Sequence, residues 1–193
     1  MNKTRLEAFS DGVIAIIITI MILEIKVPHE TSWDALGALS SVFISYILSF
    51  VGLGIYWVNH HHLIQAIKKV KGSILWANMN LLFWLSLMPL VTAWMGESHF
   101  EKNTVIAYAA NCNFCGISYF LLLMAIRNSH QDNQDVLTFV EYQSRKGILS
   151  ASAYLVSLII AFFYPMISIV IFVIVAILWI IPDKNIERAL NEK

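Results

Sequence analysis

The groups able to do chemistry in this chain are few, and they gather at the ends of apolar segments. Arg5, Phe9, Ser10 and Asp11 open a run from Gly12 to Leu23 in which Thr19 is the one strongly polar side chain before Glu24. Ionisable groups are costly in hydrocarbon, so an arginine and an aspartate at the mouth of such a run need a partner or water. Arg5, Ser10 and Asp11 are therefore expected to form a polar cluster. Trp57 and His61, four apart, share a helix face and are expected to contact the Ser10/Asp11 region; interfacial anchoring is the alternative for each. His60, His61 and His62 are consecutive, so on a helix they point about 100° apart and cannot converge on one metal ion. A response to protonation stays open for them. Cys112-Asn113-Phe114-Cys115 lies inside an apolar stretch with no second pair, which reads as packing thiols rather than a zinc or redox site. Asn78, Asn80, Asn111 and Asn113 also fall within apolar stretches, where amides bond between helices. No paired carboxylates, metal spacing or nucleophile motif stand at one depth, which argues against an enzyme.

The elements that carry these groups follow from composition. The chain has 193 residues, 58% hydrophobic and 13% charged, with a mean hydropathy of +0.68. A soluble domain of this size needs far more charge to cover its surface. Zero net charge gives no bulk attraction to nucleic acid. The expected class is an all-α integral membrane protein with almost no extramembrane domain. The first apolar run is too long for a secretory leader and no small-residue cleavage site follows it, so it reads as a span. About 20 apolar residues cross the hydrocarbon. Six segments qualify, at residues 6–27, 35–58, 73–95, 104–126, 148–164 and 166–181, as one six-helix transmembrane domain over 1–193. The last two share one apolar stretch that Pro165 divides, and Pro89 is expected to kink the third. With the termini on one side, eleven basic residues fall there: Lys3, Arg5, Lys68, Lys69, Lys71, Arg127, Arg145, Lys146, Lys184, Arg188 and Lys193. Only Lys26 and Lys102 fall opposite, so both termini are expected in the cytoplasm. Asn128 to Arg145 reads as a polar cytoplasmic loop.

Ile16, Thr19, Ile20 and Leu23 share one face of the first helix, and Gly12 extends it by a turn. Copies of that face arranged in a ring make a hydrophobic constriction that gates by dewetting. An ordinary buried or lipid-facing helix fits the same pattern. Glu24, one residue beyond, either concentrates cations at the outer mouth or is paired with Lys26 or solvated.

Arg5-x-x-x-Phe9-Ser10-Asp11, followed by Ile-Thr-Ile-Met-Ile-Leu-Glu, resembles the opening helix of the transmembrane protein 175 family of potassium channels. Trp57-Val58-Asn59-His60-His61-His62 at the end of the second helix is similar as well. The resemblance implies a homotetramer of six-helix units whose first helices line a central pore. It implies Ile16 as the gate, Thr19 as a polar layer that favours potassium, and Ile20 and Leu23 as further apolar layers. The Thr-Val-Gly-Tyr-Gly filter of ordinary potassium channels is absent from the family and from this sequence. The expected function is passive potassium conduction across a bacterial plasma membrane, with modest preference over sodium and no cofactor. The alternative is a proton-coupled transporter using Asp11 and His60–His62. Against it stand the lack of a second mid-membrane ionisable group and of an evident inverted repeat.

Overall fold

A computed structural model describes residues 2–67 and 69–180. Every regular element among them is helical: α1 (Lys3–Leu23), α2 (Trp33–Gly37), α3 (Ser40–Ala66), α4 (Gly72–Ser86), α5 (Met88–Glu97), α6 (Lys102–Ser129), α7 (Gln134–Ala161) and α8 (Pro165–Ile180). α1, α3, the α4–α5 pair and α6 are long and apolar enough to cross a bilayer. α8 is apolar but 16 residues long. α6 packs against α4, α5, α7 and α8, while α1 lies on α3, α4 and α5.

α1 opens where Asn2 caps it, its side chain accepting from the Thr4 N–H at 3.3 Å. It stops at Leu23, capped at Glu24, earlier than residue 27; Val27, which precedes Pro28, is disfavoured in helical geometry in any case. The second segment starts later than residue 35. The short α2, capped by Ser32, comes first, and α3 then runs on to Ala66. The third is two helices. Pro89 lacks an N–H and its ring crowds the carbonyl of Leu85, so the axis breaks at Leu87.

The largest correction concerns residues 128–145. They are not a loop: α7 begins at Gln134, and only His130–Asn133 connect it to α6. Asn133 caps the helix by accepting from the Val136 N–H, and Arg145 bonds Glu141 one turn back at 2.7 Å. Val136, Val140 and Gln143 supply a buried stripe that hydropathy alone does not reveal. The apolar stretch that follows turns at Phe162–Tyr164, and Pro165 is the first residue of α8. Ile181, Lys68, Lys184, Arg188 and Lys193 lie outside the described residues.

Amides join the helices. Asn80 donates to Ser118 at 2.7 Å, Asn111 to the Trp84 carbonyl at 3.3 Å, and Asn113 to the Tyr154 carbonyl at 3.0 Å. α3 and α5 approach closely at Gly96, where an added Cβ would stand 2.8 Å from Val42 Cα and closer still to Ser45 Oγ. Gly96→Ala is therefore expected to destabilise the protein by about 1–3 kcal/mol, since backbone cannot step aside as a side-chain tip can. A thermal melt in detergent that matches the parent's would show that α3 and α5 have room to spare.

Candidate pore-lining helix and its polar base

α1 has two unlike faces. Leu6, Ser10, Ile14, Ile17 and Met21 are buried against the bundle. About 120° around the helix, Gly12, Ile16, Thr19, Ile20 and Leu23 are exposed, Ile16 at 58% and Leu23 at 79%. Thr19 donates its hydroxyl proton to the Ile16 carbonyl at 2.8 Å, so the oxygen lone pairs are what it has left to offer. Ile16, Ile17, Ile20 and Glu24 flank an open groove of about 440 Å³, whose other wall is Ser86, Pro89, Leu90 and Ala93 around the α4–α5 break.

The N-terminal half of α1 is fastened to α3 by a ladder. Lys3 Nζ donates to the Gln65 carbonyl at 2.7 Å, His61 Nδ1 meets Glu7 Oε1 at 3.0 Å, and Trp57 Nε1 donates to Asp11 Oδ1 at 3.0 Å. Lys3, Glu7 and Asp11 are one turn apart on α1, and Gln65, His61 and Trp57 one turn apart on α3. Antiparallel helices bring such stripes into register. His61 stacks on Trp57, ring centroids 6.1 Å apart, and its Nε2 lies 2.9 Å from the Gln65 amide nitrogen. A neutral imidazole satisfies both neighbours: it donates from Nδ1 to Glu7 and accepts at Nε2 from Gln65.

Behind the ladder runs a buried seam to α4. Ser10 donates to the Leu6 carbonyl at 2.9 Å and accepts from Asn78 Nδ2 at 3.0 Å. The Asn78 oxygen lies 2.7 Å from His60 Nε2, which must then carry the proton. Ser10, Asn78 and His60 are all fully buried, and His60 Nδ1 has no partner.

Trp57 and Ser10 thus both hold α1, through different partners. Arg5 does not join them. It is exposed on the same side of α1 as Phe9 and Ile16, and its side chain has no hydrogen bond or ion pair among the described residues, because helix phase turns it away from Ser10 and Asp11. Glu7, His60 and Asn78 are additional members of the base. The three histidines diverge: His60 to Asn78, His61 to Glu7, and His62 edge-on against His61. Glu24 is exposed at the other end of the helix, and Lys26 pairs instead with Glu97 at 3.1 Å, both side chains solvated. Cys112 and Cys115 are free thiols.

Residues 5–89 match the family described as "Endosomal/lysosomal potassium channel TMEM175". A protein named as a potassium channel from Chryseobacterium sp. (strain P1-3) is 49% identical over 192 residues, covering 100% of both chains. The chain belongs to the TMEM175 family. The crystal structure of a lysosomal potassium-selective channel TMEM175 homolog from Chamaesiphon minutus superposes with a TM-score of 0.80 at 26% identity, over 92% of this chain and 95% of that one. A mouse relative, named as an endosomal/lysosomal proton channel TMEM175, is 31% identical over 138 residues, which span 63% of this chain and 28% of the mouse protein. TMEM175 relatives are ion channels, not enzymes, and the helical membrane architecture described above is theirs.

Proposed function

We propose that four copies of this chain, each crossing a bacterial plasma membrane six times with both termini in the cytoplasm, form a passive potassium-permeable channel lined by α1. The observation that carries this reading is the division of α1 into a locked face and an unpartnered one. Ser10, Glu7 and Asp11 hold one side to α3 and α4, while Gly12, Ile16, Thr19, Ile20 and Leu23 present a continuous exposed strip. Such strips, turned to a common axis, make a narrow apolar passage with Ile16 as its gate and Ile20 and Leu23 as further layers. An isoleucine ring offers an ion no ligands, so the ion that sheds water more readily crosses more easily, which favours potassium over sodium. The Thr19 oxygen, its proton already committed to Ile16, acts as an acceptor for a partly dehydrated cation. The Chryseobacterium relative's name points to the same ion.

The mouse relative's name makes proton conduction a second reading. Asp11 and His61 are held by Trp57 and Glu7 as fasteners between helices, an arrangement that suits an anchor better than a mobile carrier.

Purified protein in liposomes separates these readings. Gradient-driven potassium flux larger than sodium flux, with no dependence on a proton gradient, is the expected result. Potassium flux that appears only with an opposing proton gradient would replace the channel with a coupled carrier. Thr19→Val keeps the side-chain shape and removes the oxygen. It is expected to lower the potassium-to-sodium preference by about 1 kcal/mol, roughly fivefold. An unchanged reversal potential in mixed potassium and sodium would take Thr19 out of the permeation path.

A further inference from the structure

A second cavity lies on the side of α3 away from the first helix, where α3, α6, α7 and α8 meet. It measures about 70 Å³, and Tyr56, Cys112, Gly116, Tyr119, Tyr154 and Trp179 stand in its wall. No residue of α1 reaches it. Among the described residues the wall carries no carboxylate and no cationic side chain. Rings enclose it: Tyr56 and Tyr119 meet edge to face with centroids 6.0 Å apart, and Tyr154 tilts on Phe172 at 5.6 Å. Tyr119 is 5% exposed, and its hydroxyl has no hydrogen-bond partner. An orphaned buried hydroxyl costs about 1–3 kcal/mol, so a guest that accepts its proton is favoured there.

We infer that this cavity binds a small neutral alcohol, whose hydroxyl accepts from Tyr119 and whose carbons pack against the rings. Size sets the limit. A dry apolar cavity of about 150 Å³ takes benzene, with its six heavy atoms, so one of half that volume takes a guest of about three carbon- or oxygen-sized atoms. Water is the poorer occupant. Two waters fill the volume, but each needs two to four polar partners, and this wall is mostly carbon. An ion is excluded because nothing in the wall neutralises it.

The glycines of the wall give the test. A Cβ built at Gly116 or Gly147 meets no heavy atom within 4 Å, so a larger residue there enters the cavity without striking backbone. The probe is 2-fluoroethanol, which is ethanol with one hydrogen replaced by a slightly larger fluorine, added to the purified full-length protein in detergent and followed by fluorine NMR. Saturable broadening at millimolar concentrations is expected for the parent, with at least tenfold weaker binding in Tyr119→Phe and none in Gly116→Val. Gly147→Val serves in place of Gly116→Val if the latter does not elute as the parent does. Broadening that rises without limit and equally in all variants is partition into detergent and overturns the inference. So does saturable binding that survives both Tyr119→Phe and the glycine variants. The readout is independent of ion flux, so it stands or falls apart from the channel reading.

Discussion

Ile16→Asn is expected to raise sodium flux through the reconstituted protein roughly tenfold or more and to bring the potassium-to-sodium ratio toward one. The reasoning is local. Ile16 is 58% exposed, so the substitution leaves the packing of α1 against α3 and α4 intact. In the proposed ring, four amide carbonyls replace four side chains that offer no ligand. A polar contact contributes about 0.5–1.5 kcal/mol net, and a tenfold change in rate needs about 1.4 kcal/mol. Even partial engagement of four such groups exceeds that. The control is Ile22→Asn. Ile22 is also exposed, at 44%, but six residues on it lies about 120° around the helix. The same chemistry there should leave flux as it was. Equal effects at both positions would show that Asn perturbs the bilayer-facing surface generally and that Ile16 forms no constriction.

Asn78→Ala has the largest expected effect on stability, about 2–4 kcal/mol. Asn78 is the link between Ser10 on α1 and His60 on α3. Without it Ser10 still donates to Leu6, but His60 is left fully buried with neither ring nitrogen bonded. Asn80→Ala is the comparison, since it breaks one half-buried bond to Ser118 and should cost about 1 kcal/mol. Thermal melts of both variants in the same detergent decide the matter. If Asn78→Ala melts no earlier than Asn80→Ala, the Ser10–Asn78–His60 seam does not act as a unit. Because the seam holds α1 in place, potassium flux should fall together with stability in Asn78→Ala and persist in Asn80→Ala.

Much of this base is visible in the sequence because polar residues inside apolar stretches stand out. Ser10, Asp11, Trp57 and His61 announce themselves in that way. Their partners do not. Glu7, in the first turns of a helix that starts at Lys3, looks like a solvated carboxylate until α3 is laid beside it. Among three consecutive histidines, helix phase decides which one faces inward, and that phase is fixed by packing at Leu53, Leu63 and Ile64 rather than by the histidines themselves. The signal that was present is the matching spacing of Lys3, Glu7, Asp11 and of Trp57, His61, Gln65, which becomes meaningful once the two helices are known to be antiparallel. Residues 134–147 were hidden for a different reason. Their polarity argues against a span, and it says nothing against a helix, which Asn133 starts and Val136 and Val140 bury.

The fastenings of α1 are unevenly distributed along its length. Lys3, Glu7, Ser10 and Asp11 each hold a bond to α3 or α4, whereas beyond Thr19 the only side-chain polar tie among the described residues is the solvated Lys26–Glu97 pair just past the helix. An exposed pair of this kind contributes at most about 1 kcal/mol and weakens as salt rises. Mechanically the helix is clamped by polar bonds at its root, while toward its tip it is held by the apolar packing of Ile17 and Met21 and by one ion pair that salt loosens. In the proposed tetramer, with the termini in the cytoplasm, any change in the width between neighbouring copies is therefore expected to be larger at Leu23 than at Gly12.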